Sequence, residues 1–465
     1  MTGISGLPPA KRAAHEAAVT RLRDAYAAVP EGVPVRLAKP TSNLFRFRDA
    51  ASATERVSLD VSAFARVIHV DPATRTAVVG GMTTYEDLCA ATLPHGLMPL
   101  VVPELKTITL GGAVTGLGIE ATSVWHGLPH ESVIEMELLT GDGRVIVATK
   151  DNEHSDLYYG FPNSYGTLGY TLALTIELMP VKPYVHVRHF TFTDPKSCMD
   201  AIVQIARDGR YEGHKADFLD GVAFSNTELY LSVGAFSDKA PWVSDYTGQE
   251  IYYQSLPKNR EDFLTVKDYI WRWDTDWFWC AGAFGLKNKM IRRLWPRRYR
   301  RSDVYRKLVA FDQQYGLTAA MYTKRRVPQR EFVTQDVEVP VERGHEFLAF
   351  FAEKVKMSPV WMCPVRLRGT DSWSLYPMHP GDLYVNFGFW GTAPLPAGKR
   401  DGYYNRMVEE QVSVLGGHKS LYSTAFYSEE EFRSRYNGAA YDKLKAEYDG
   451  GGRLLNLYDK AVRRR

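Results

Sequence analysis

Pro103–Gly127 reads PELKTITLGGAVTGLGIEATSVWHG, and Gly111, Gly112, Gly116 and Gly118 crowd there among small and β-branched residues. Without Cβ atoms a chain can take positive φ and press its N–H groups directly against a phosphate or an aromatic ring, which ordinary loops cannot do. The stretch is therefore the candidate cradle for a bound cofactor, and any fold proposed for the chain must accommodate it.

A dinucleotide-binding loop is the first alternative. Gly116-Leu117-Gly118-Ile119-Glu120-Ala121 formally satisfies G-x-G-x-x-G/A, and Glu137 lies near the distance of a ribose-binding acid. Such a loop needs a hydrophobic strand before it and a long helix after it. Here Thr107–Thr115 precedes the motif and Gly127-Leu128-Pro129 halts any helix. The residues beyond Pro129 fit a different architecture. Val133–Leu139 and Val145–Ala148 flank Thr140-Gly-Asp-Gly143, a predicted hairpin with glycines where a tight turn needs positive φ. Asn163-Ser-Tyr-Gly166-Thr-Leu-Gly169 then brings a second glycine pair, ahead of the alternating strand Thr171–Leu178.

Val102-Pro-Glu-Leu105, Gly111-Gly112, Gly116-Leu-Gly-Ile-Glu120, Ser155-Asp-Leu-Tyr158 and Gly166-Thr-Leu-Gly169 together resemble the FAD-binding domain of vanillyl-alcohol-oxidase-type (PCMH-type) flavoproteins. Within them the chain resembles the Diminuto/Δ24-sterol reductase family. Ser358-Pro-Val-Trp-Met-Cys-Pro364, Gly381-Asp-Leu-Tyr384, Leu421-Tyr422, Glu431-Phe432 and Tyr458-Asp459-Lys460 extend the likeness over nearly the whole chain. The resemblance implies an α+β fold: a helical segment (1–30), a two-lobed PCMH-type FAD-binding domain (31–182), then an α+β substrate or cap domain (183–465). It also implies that Lys39, Pro40, Thr41, Ser42 and Asn43 form the loop at the FAD pyrophosphate, although a solvated turn is open for Lys39 and Asn43. Further FAD contacts are implied for Thr109, Leu110, Gly111, Gly112, Gly116, Gly118, Ile119, Ser123, His126, Gly127, Gly166, Thr167, Gly169 and Ile176. Oxidases of the wider superfamily often carry a flavin-tethering histidine in the first loop, and Leu37–Arg48 has none, so noncovalent FAD is expected. Tethering through His126 is the lesser alternative, and a turn role is equally open for that residue.

Composition narrows the function classes. Hydrophobic residues at 45% and charged residues at 24% are ordinary globular values. A net charge of +3 gives no bulk attraction to nucleic acid, and none is expected as a partner. Cys89, Cys198, Cys280 and Cys363 lie far apart without a C-x-x-C pair, so no metal site is expected and a reduced, cytoplasmic location is. Lys11, Arg12, His15, Arg21 and Arg23 interrupt the Ala-rich N-terminal segment, which lacks a signal-peptide core. The other unusual segment is 268–307. Trp271, Trp273, Trp277, Phe278 and Trp279 lead into a run from Lys287 to Lys307 that includes Arg297, Arg298, Arg300 and Arg301. It suits either an anionic membrane surface, on the inner face of the cell membrane, or a packed aromatic cluster followed by a solvated basic helix.

The resemblance implies an enzyme that takes hydride from NADPH or NADH onto FAD and passes it to an isolated carbon–carbon double bond of an apolar lipid. Such an alkene has no carbonyl to stabilise developing charge, so a positioned acid in a dry pocket must protonate the second carbon. Glu120, His379 and Tyr422 are the candidates. A structural carboxylate is the competing role for Glu120, and pocket lining or core for the other two. Trp361, Trp373, Tyr376, Tyr384, Phe387, Phe389 and Trp390 fall in one aromatic stretch. Strand alternation there puts Tyr384, Asn386 and Gly388 on one side and Val385, Phe387 and Phe389 on the other, so one face is the candidate substrate wall. Three classes stay open: a lipid alkene reductase acting on a sterol or isoprenoid side chain or a methylene-branched fatty-acyl phospholipid; an FAD-dependent oxidase of an alcohol or sugar lactone; and a non-catalytic membrane-associated flavoprotein.

Overall fold

Two large sheets divide the strands, and the chain passes from one to the other between Pro180 and Tyr184. In the computed structural model, residues 3–39, 43–46, 56–116, 118–316 and 328–464 are described. Pro40, Thr41 and Ser42 of the first loop lie outside them. The fold is α+β. After the helix Pro9–Ala27, β1 (Val35–Leu37) pairs in parallel with β2 (Val57–Leu59). Strands β3 (Val67–Asp71), β4 (Thr76–Gly80), β5 (Leu97–Pro99), β6 (Val133–Thr140), β7 (Val145–Ala148) and β8 (Gly169–Pro180) form the first sheet, in the order β3-β4-β8-β6-β7 with β5 also on β8. As the central strand, β8 is buried on both faces, which explains its near-continuous apolar run. The turn between β6 and β7 holds Gly143 at φ +88°, a conformation that favours glycine.

The second sheet contains β9 (Tyr184–Phe192); a separate hairpin pairs β10 (Arg210–Tyr211) with β11 (His214–Lys215). With β12 (Phe218–Ser225), β13 (Glu228–Ser237), β14 (Glu261–Thr265), β15 (Arg330–Pro340), β16 (Val360–Val365), β17 (Tyr384–Pro394) and β18 (His418–Lys419), the order is β14-β9-β13-β12-β16-β17-β15-β18. Strand alternation divides two cores. Val360 and Met362 of β16 and Val385, Phe387 and Phe389 of β17 pack with Ile202, Phe347 and Val408 of the covering helices. Trp361, Cys363 and Val365, with Tyr384 and Trp390, face the first sheet and join its core. The second sheet therefore turns one apolar face to its own helices and an aromatic, partly polar face to the glycine-rich half.

The Trp-rich segment belongs to that shared core and not to the surface. Trp271, Trp273, Trp277, Phe278 and Trp279 are all at most 7% exposed. Phe278 stacks on Trp273 with centroids 4.9 Å apart and leans on Trp390 at 4.5 Å. Part of the basic run is structural too. Arg292 is paired with Asp276 at 2.6 Å, Arg300 donates to the carbonyls of Gly248 and Trp295, and Arg301 pairs with Glu86 at 2.8 Å. Exposed cations remain at Lys287, Lys289, Arg293, Arg297, Arg298 and Lys307. Among the described residues, no helix is long and apolar enough to cross a membrane.

Candidate active site

A cavity of about 480 Å³ opens between the two sheets, within the usual range for small-molecule sites. Its first wall is largely backbone. Thr109 caps the helix Leu110–Thr115 by accepting the Gly112 N–H at 3.2 Å, so Gly111 and Gly112 meet the cavity at the helix start. Lys39 arrives from the end of β1 and donates its Nζ to Thr109 Oγ1 at 3.0 Å. Burial pulls this ammonium down to about 8. Gly118 and Ile119 continue the wall, joined by Gly166, Gly169, Tyr170 and Thr171 from the second glycine pair and by Asn43.

These residues fit an anionic, ring-bearing cofactor. A Cβ on Gly112 would lie 2.8 Å from Thr109 Oγ1 and 3.8 Å from Lys39 Nζ, at the point where cation and helix start converge on the cavity. Not every glycine serves a ligand. A Cβ on Gly111 would meet the Gly81 carbonyl at 2.6 Å, one on Gly116 the Gly112 carbonyl at 2.9 Å, and one on Gly118 the Pro103 and Pro129 rings at 2.6 and 2.7 Å. These three permit backbone-to-protein approach, and Gly166 is required by its φ of +73°.

The opposite wall is built from side chains. Trp277 and Phe278 enter from the aromatic segment, Asp336 from β15, Trp361 from β16, Asn386 and Trp390 from β17, and Tyr422 from the loop after β18. Trp390 donates its indole N–H to Tyr422 Oη at 2.9 Å, and Asn386 donates its amide N–H to Asp336 Oδ1 at 2.8 Å. Asp336 also lies beside Tyr422, and burial, only partly offset by these two neighbours, raises its carboxyl to about 7. Asn386 and Trp390 thus fall on the cavity side of β17, opposite Val385, Phe387 and Phe389.

Of the three acid candidates, Tyr422 alone lines the cavity. His379 is exposed, and its backbone N–H approaches Tyr384 Oη at 3.4 Å. Glu120 is buried outside the lining. Its Oε2 accepts the Thr122 N–H at 3.1 Å and its Oε1 sits 3.5 Å from Arg272. Arg272 also pairs at 2.9 Å with both Glu104 and Asp220, and Asp220 accepts the Trp273 and Trp361 indole N–H groups at 3.2 Å. Three buried acids thus share one guanidinium, and burial raises Glu104 and Glu120, with Arg272 opposing. Glu104, a residue sequence reasoning did not nominate, is the member that reaches the cavity.

Several expected cofactor contacts lie elsewhere. Leu110 and Ile176 are core, Ile176 lying in β8 between Ala77 and Val133. Gly116 packs against the Tyr165 ring, Thr167 donates to the Ser164 carbonyl at 2.7 Å, and Ser123 accepts the Glu120 N–H at 3.1 Å. His126 and Gly127 are not in the lining; Arg368 and Glu177 set the field at His126, and Glu131 crowds Gly127. Asp336 was also missed, whereas Asn386 lies on one of the two β17 faces considered for the substrate wall. The signal for Asp336 was polar residues at alternate positions of a strand, as in Thr334, Asp336 and Glu338.

Comparison with known proteins agrees with this geometry. Residues 14–149 match the FAD binding domain family. The human Delta(24)-sterol reductase is 26% identical over 345 residues, covering 70% of this chain and 62% of the relative. The Arabidopsis thaliana Delta(24)-sterol reductase is 25% identical over 447 residues, covering 88% and 77%. The Decaprenylphosphoryl-beta-D-ribose oxidase of Mycolicibacterium smegmatis is 26% identical over 301 residues, covering 63% and 61%. The aligned part spans only 62% of the human protein's length. With the FAD-binding match, the glycine-lined cavity and these relatives together, the chain is similar to the Diminuto/Δ24-sterol reductase-like FAD-linked oxidoreductases.

Proposed function

We propose that this protein is an FAD-dependent reductase that saturates an isolated carbon–carbon double bond in an apolar lipid, drawing hydride from NADPH or NADH. The carrying observation is the asymmetry of the cavity: one wall of glycine backbone with the Lys39 ammonium, the other of tryptophans interrupted by one hydroxyl, one amide and one buried carboxyl. FAD supplies the hydride. The chain's own task is to hold Lys39 and the Gly111–Gly112 backbone toward the anionic part of the cofactor, to exclude water with Trp277, Phe278, Trp361 and Trp390, and to keep a proton available beside the alkene. A sterol or isoprenoid side chain and a methylene-branched fatty-acyl phospholipid both suit the aromatic wall. A lipidome of a deletion strain separates them by the unsaturated precursor that accumulates, and an unchanged lipidome counts against the proposal.

The similarity to a ribose oxidase favours a second reading, in which the same cavity oxidises an alcohol and passes electrons to oxygen. A lipid substrate also raises the question of delivery. The helix Lys289–Leu294 exposes Met290 at 76% and Leu294 at 83%, with Lys289, Arg293, Arg297 and Arg298 exposed nearby. This combination supports peripheral docking on an anionic bilayer from the cytoplasmic side, through different residues from the buried tryptophans.

A further inference from the structure

We propose that Tyr422 is the group that protonates the alkene and that Asp336 is the positioning residue that directs and recharges it, an assignment that rests on the reductase reading above. Both line the cavity on the wall opposite the glycine cradle. A tyrosine hydroxyl has one hydrogen to give and two lone pairs to receive with. One lone pair of Tyr422 Oη is taken by the Trp390 indole N–H at 2.9 Å. If Asp336 carries a proton, its O–H fills the second, and the phenol hydrogen is left to point into the cavity. If Asp336 is ionised, the phenol hydrogen turns to the carboxylate and the cavity loses its donor. The Asp336–Tyr422 pair would therefore act as a two-position switch.

The surroundings hold this arrangement in place. Asn386 donates Nδ2 to Asp336 Oδ1 at 2.8 Å, fixing one oxygen and leaving the other for Tyr422. Asn386 Oδ1, fully buried on the same wall, has no hydrogen-bond partner, which marks this corner as built for a ligand. Across the pair β15–β17, the residue opposite Asp336 is Gly388, where a Cβ would meet Asp336 Oδ1 at 2.6 Å and the Trp390 ring closer still. The missing side chain makes room for both partners of Tyr422.

The titratable groups facing Asp336 leave it near neutrality. Glu338 follows on its own strand, with Ser420 donating to it at 2.6 Å and His418, held neutral by burial, 3.4 Å away. Lys419 on β18 is bound to Glu409 at 2.7 Å, and Arg46 sits 4.7 Å over the Tyr165 ring. Tyr165, Tyr376 and Tyr422 complete the surroundings. With Asn386 and Tyr422 as its direct partners, burial prevails and the carboxyl titrates at about 7.

Atoms and electrons balance in this step. Bound reduced flavin would supply a hydride, whose electron pair would form a C–H bond at one alkene carbon. The π pair forms the second C–H bond with the proton of Tyr422, whose O–H bond breaks. Asp336 passes its proton to the phenolate oxygen, and solvent reprotonates Asp336. The developing phenolate meanwhile accepts from two donors, Trp390 and Asp336, the arrangement that stabilises an oxyanion.

The test uses FAD-loaded enzyme reduced anaerobically, then mixed with detergent-dispersed trisubstituted isoprenoid-side-chain sterol and, separately, methylene-branched acyl phospholipid. Asp336→Asn and Tyr422→Phe are each expected to slow alkene-dependent reoxidation by at least about ten-fold, with NADPH-driven reduction nearly unchanged. The wild-type rate should fall above about pH 7, and the Asp336→Asn rate should be flat there. An infrared pH titration gives a readout without turnover: over and above the bands of Glu131 and Glu338, which titrate at about 7 and about 8, wild type should carry one protonated-carboxyl band that vanishes around pH 7 and that Asp336→Asn lacks. If wild-type enzyme responds to an alkene but Asp336→Asn keeps its rate and pH profile, or the infrared band is absent from wild type, the relay is wrong and the reductase reading stands. If neither alkene reoxidises wild-type flavin, the reading fails and the relay with it.

Discussion

The two walls of the cavity solve the same problem with opposite materials. On the glycine-rich side the chain largely removes side chains: Gly111, Gly112, Gly118, Gly166 and Gly169 bring backbone to the surface beside the buried Lys39 and a few side chains such as Ile119, Tyr170 and Thr171. On the cap side it supplies them from β15, β16, β17, the loop after β18 and the aromatic segment. A backbone wall can be specified by one short stretch of sequence. A side-chain wall depends on strand register, because Asp336 meets Asn386 and Tyr422 only after β15 pairs with β17 and β18. The difference teaches that cofactor binding and substrate chemistry should separate cleanly on mutation.

The sharpest way to break that separation is a pair of glycine replacements. Gly112→Leu places a side chain against Thr109 and Lys39, and the folded variant should purify without yellow colour. Full retention of FAD would remove the first wall from the account. Arg272 tests the layer joining the two walls. Arg272→Met leaves Glu104, Glu120 and Asp220 without their shared cation and should cost roughly 3–5 kcal/mol in denaturant unfolding. In the same frame, Glu120→Gln should lower stability while leaving both half-reactions of the remaining folded enzyme alike. Selective loss of the alkene half-reaction would return Glu120 to the chemistry. Gly388→Ala is the counterpart of Gly112→Leu: it crowds Asp336 and Trp390, so FAD should stay bound while alkene-dependent reoxidation slows.

Smaller effects sharpen the comparison. The Lys39 ammonium is charged below about pH 8 and neutral above it, so affinity for anionic FAD should weaken as pH rises through that value. Lys39→Gln should bind FAD more weakly at pH 7 and lose most of that pH dependence, as read by flavin fluorescence. The smallest effect is expected at the surface. Replacing Met290 and Leu294 with serine should reduce sedimentation with anionic vesicles and leave turnover of detergent-dispersed lipid unchanged. Binding should also fall with added salt, since exposed charges are screened beyond about 8 Å at physiological ionic strength. Sedimentation equal to wild type would show that this helix is merely solvated.

The asymmetry of the walls also explains what was legible in the sequence. The β6–β7 hairpin and the β17 alternation follow from local periodicity and turn chemistry, and both are present. The glycine runs pointed to the cavity, but not which glycines face it: Gly118 lines it, whereas Gly116 packs against the Gly112 carbonyl and the Tyr165 ring. Glu120 was attractive because it comes directly after the glycines, yet the guanidinium that claims it lies at Arg272, far along the chain. The tryptophans suited either a membrane surface or a packed aromatic cluster, because hydrophobic rings and cations adjoin in sequence. In space the rings turn inward and only part of the basic run faces solvent. Asp336 was hidden for the complementary reason, since a strand acid acquires meaning only from its cross-strand neighbours.

Anaerobic stopped-flow measurement of the flavin tests the central claim most directly. Wild-type enzyme reduced by NADPH should be reoxidised by an isolated-alkene lipid faster than by air-level oxygen, and Gly388→Ala should retain its FAD yet lose that advantage. Rapid reoxidation by oxygen with no response to either alkene lipid would contradict the account and favour the oxidase.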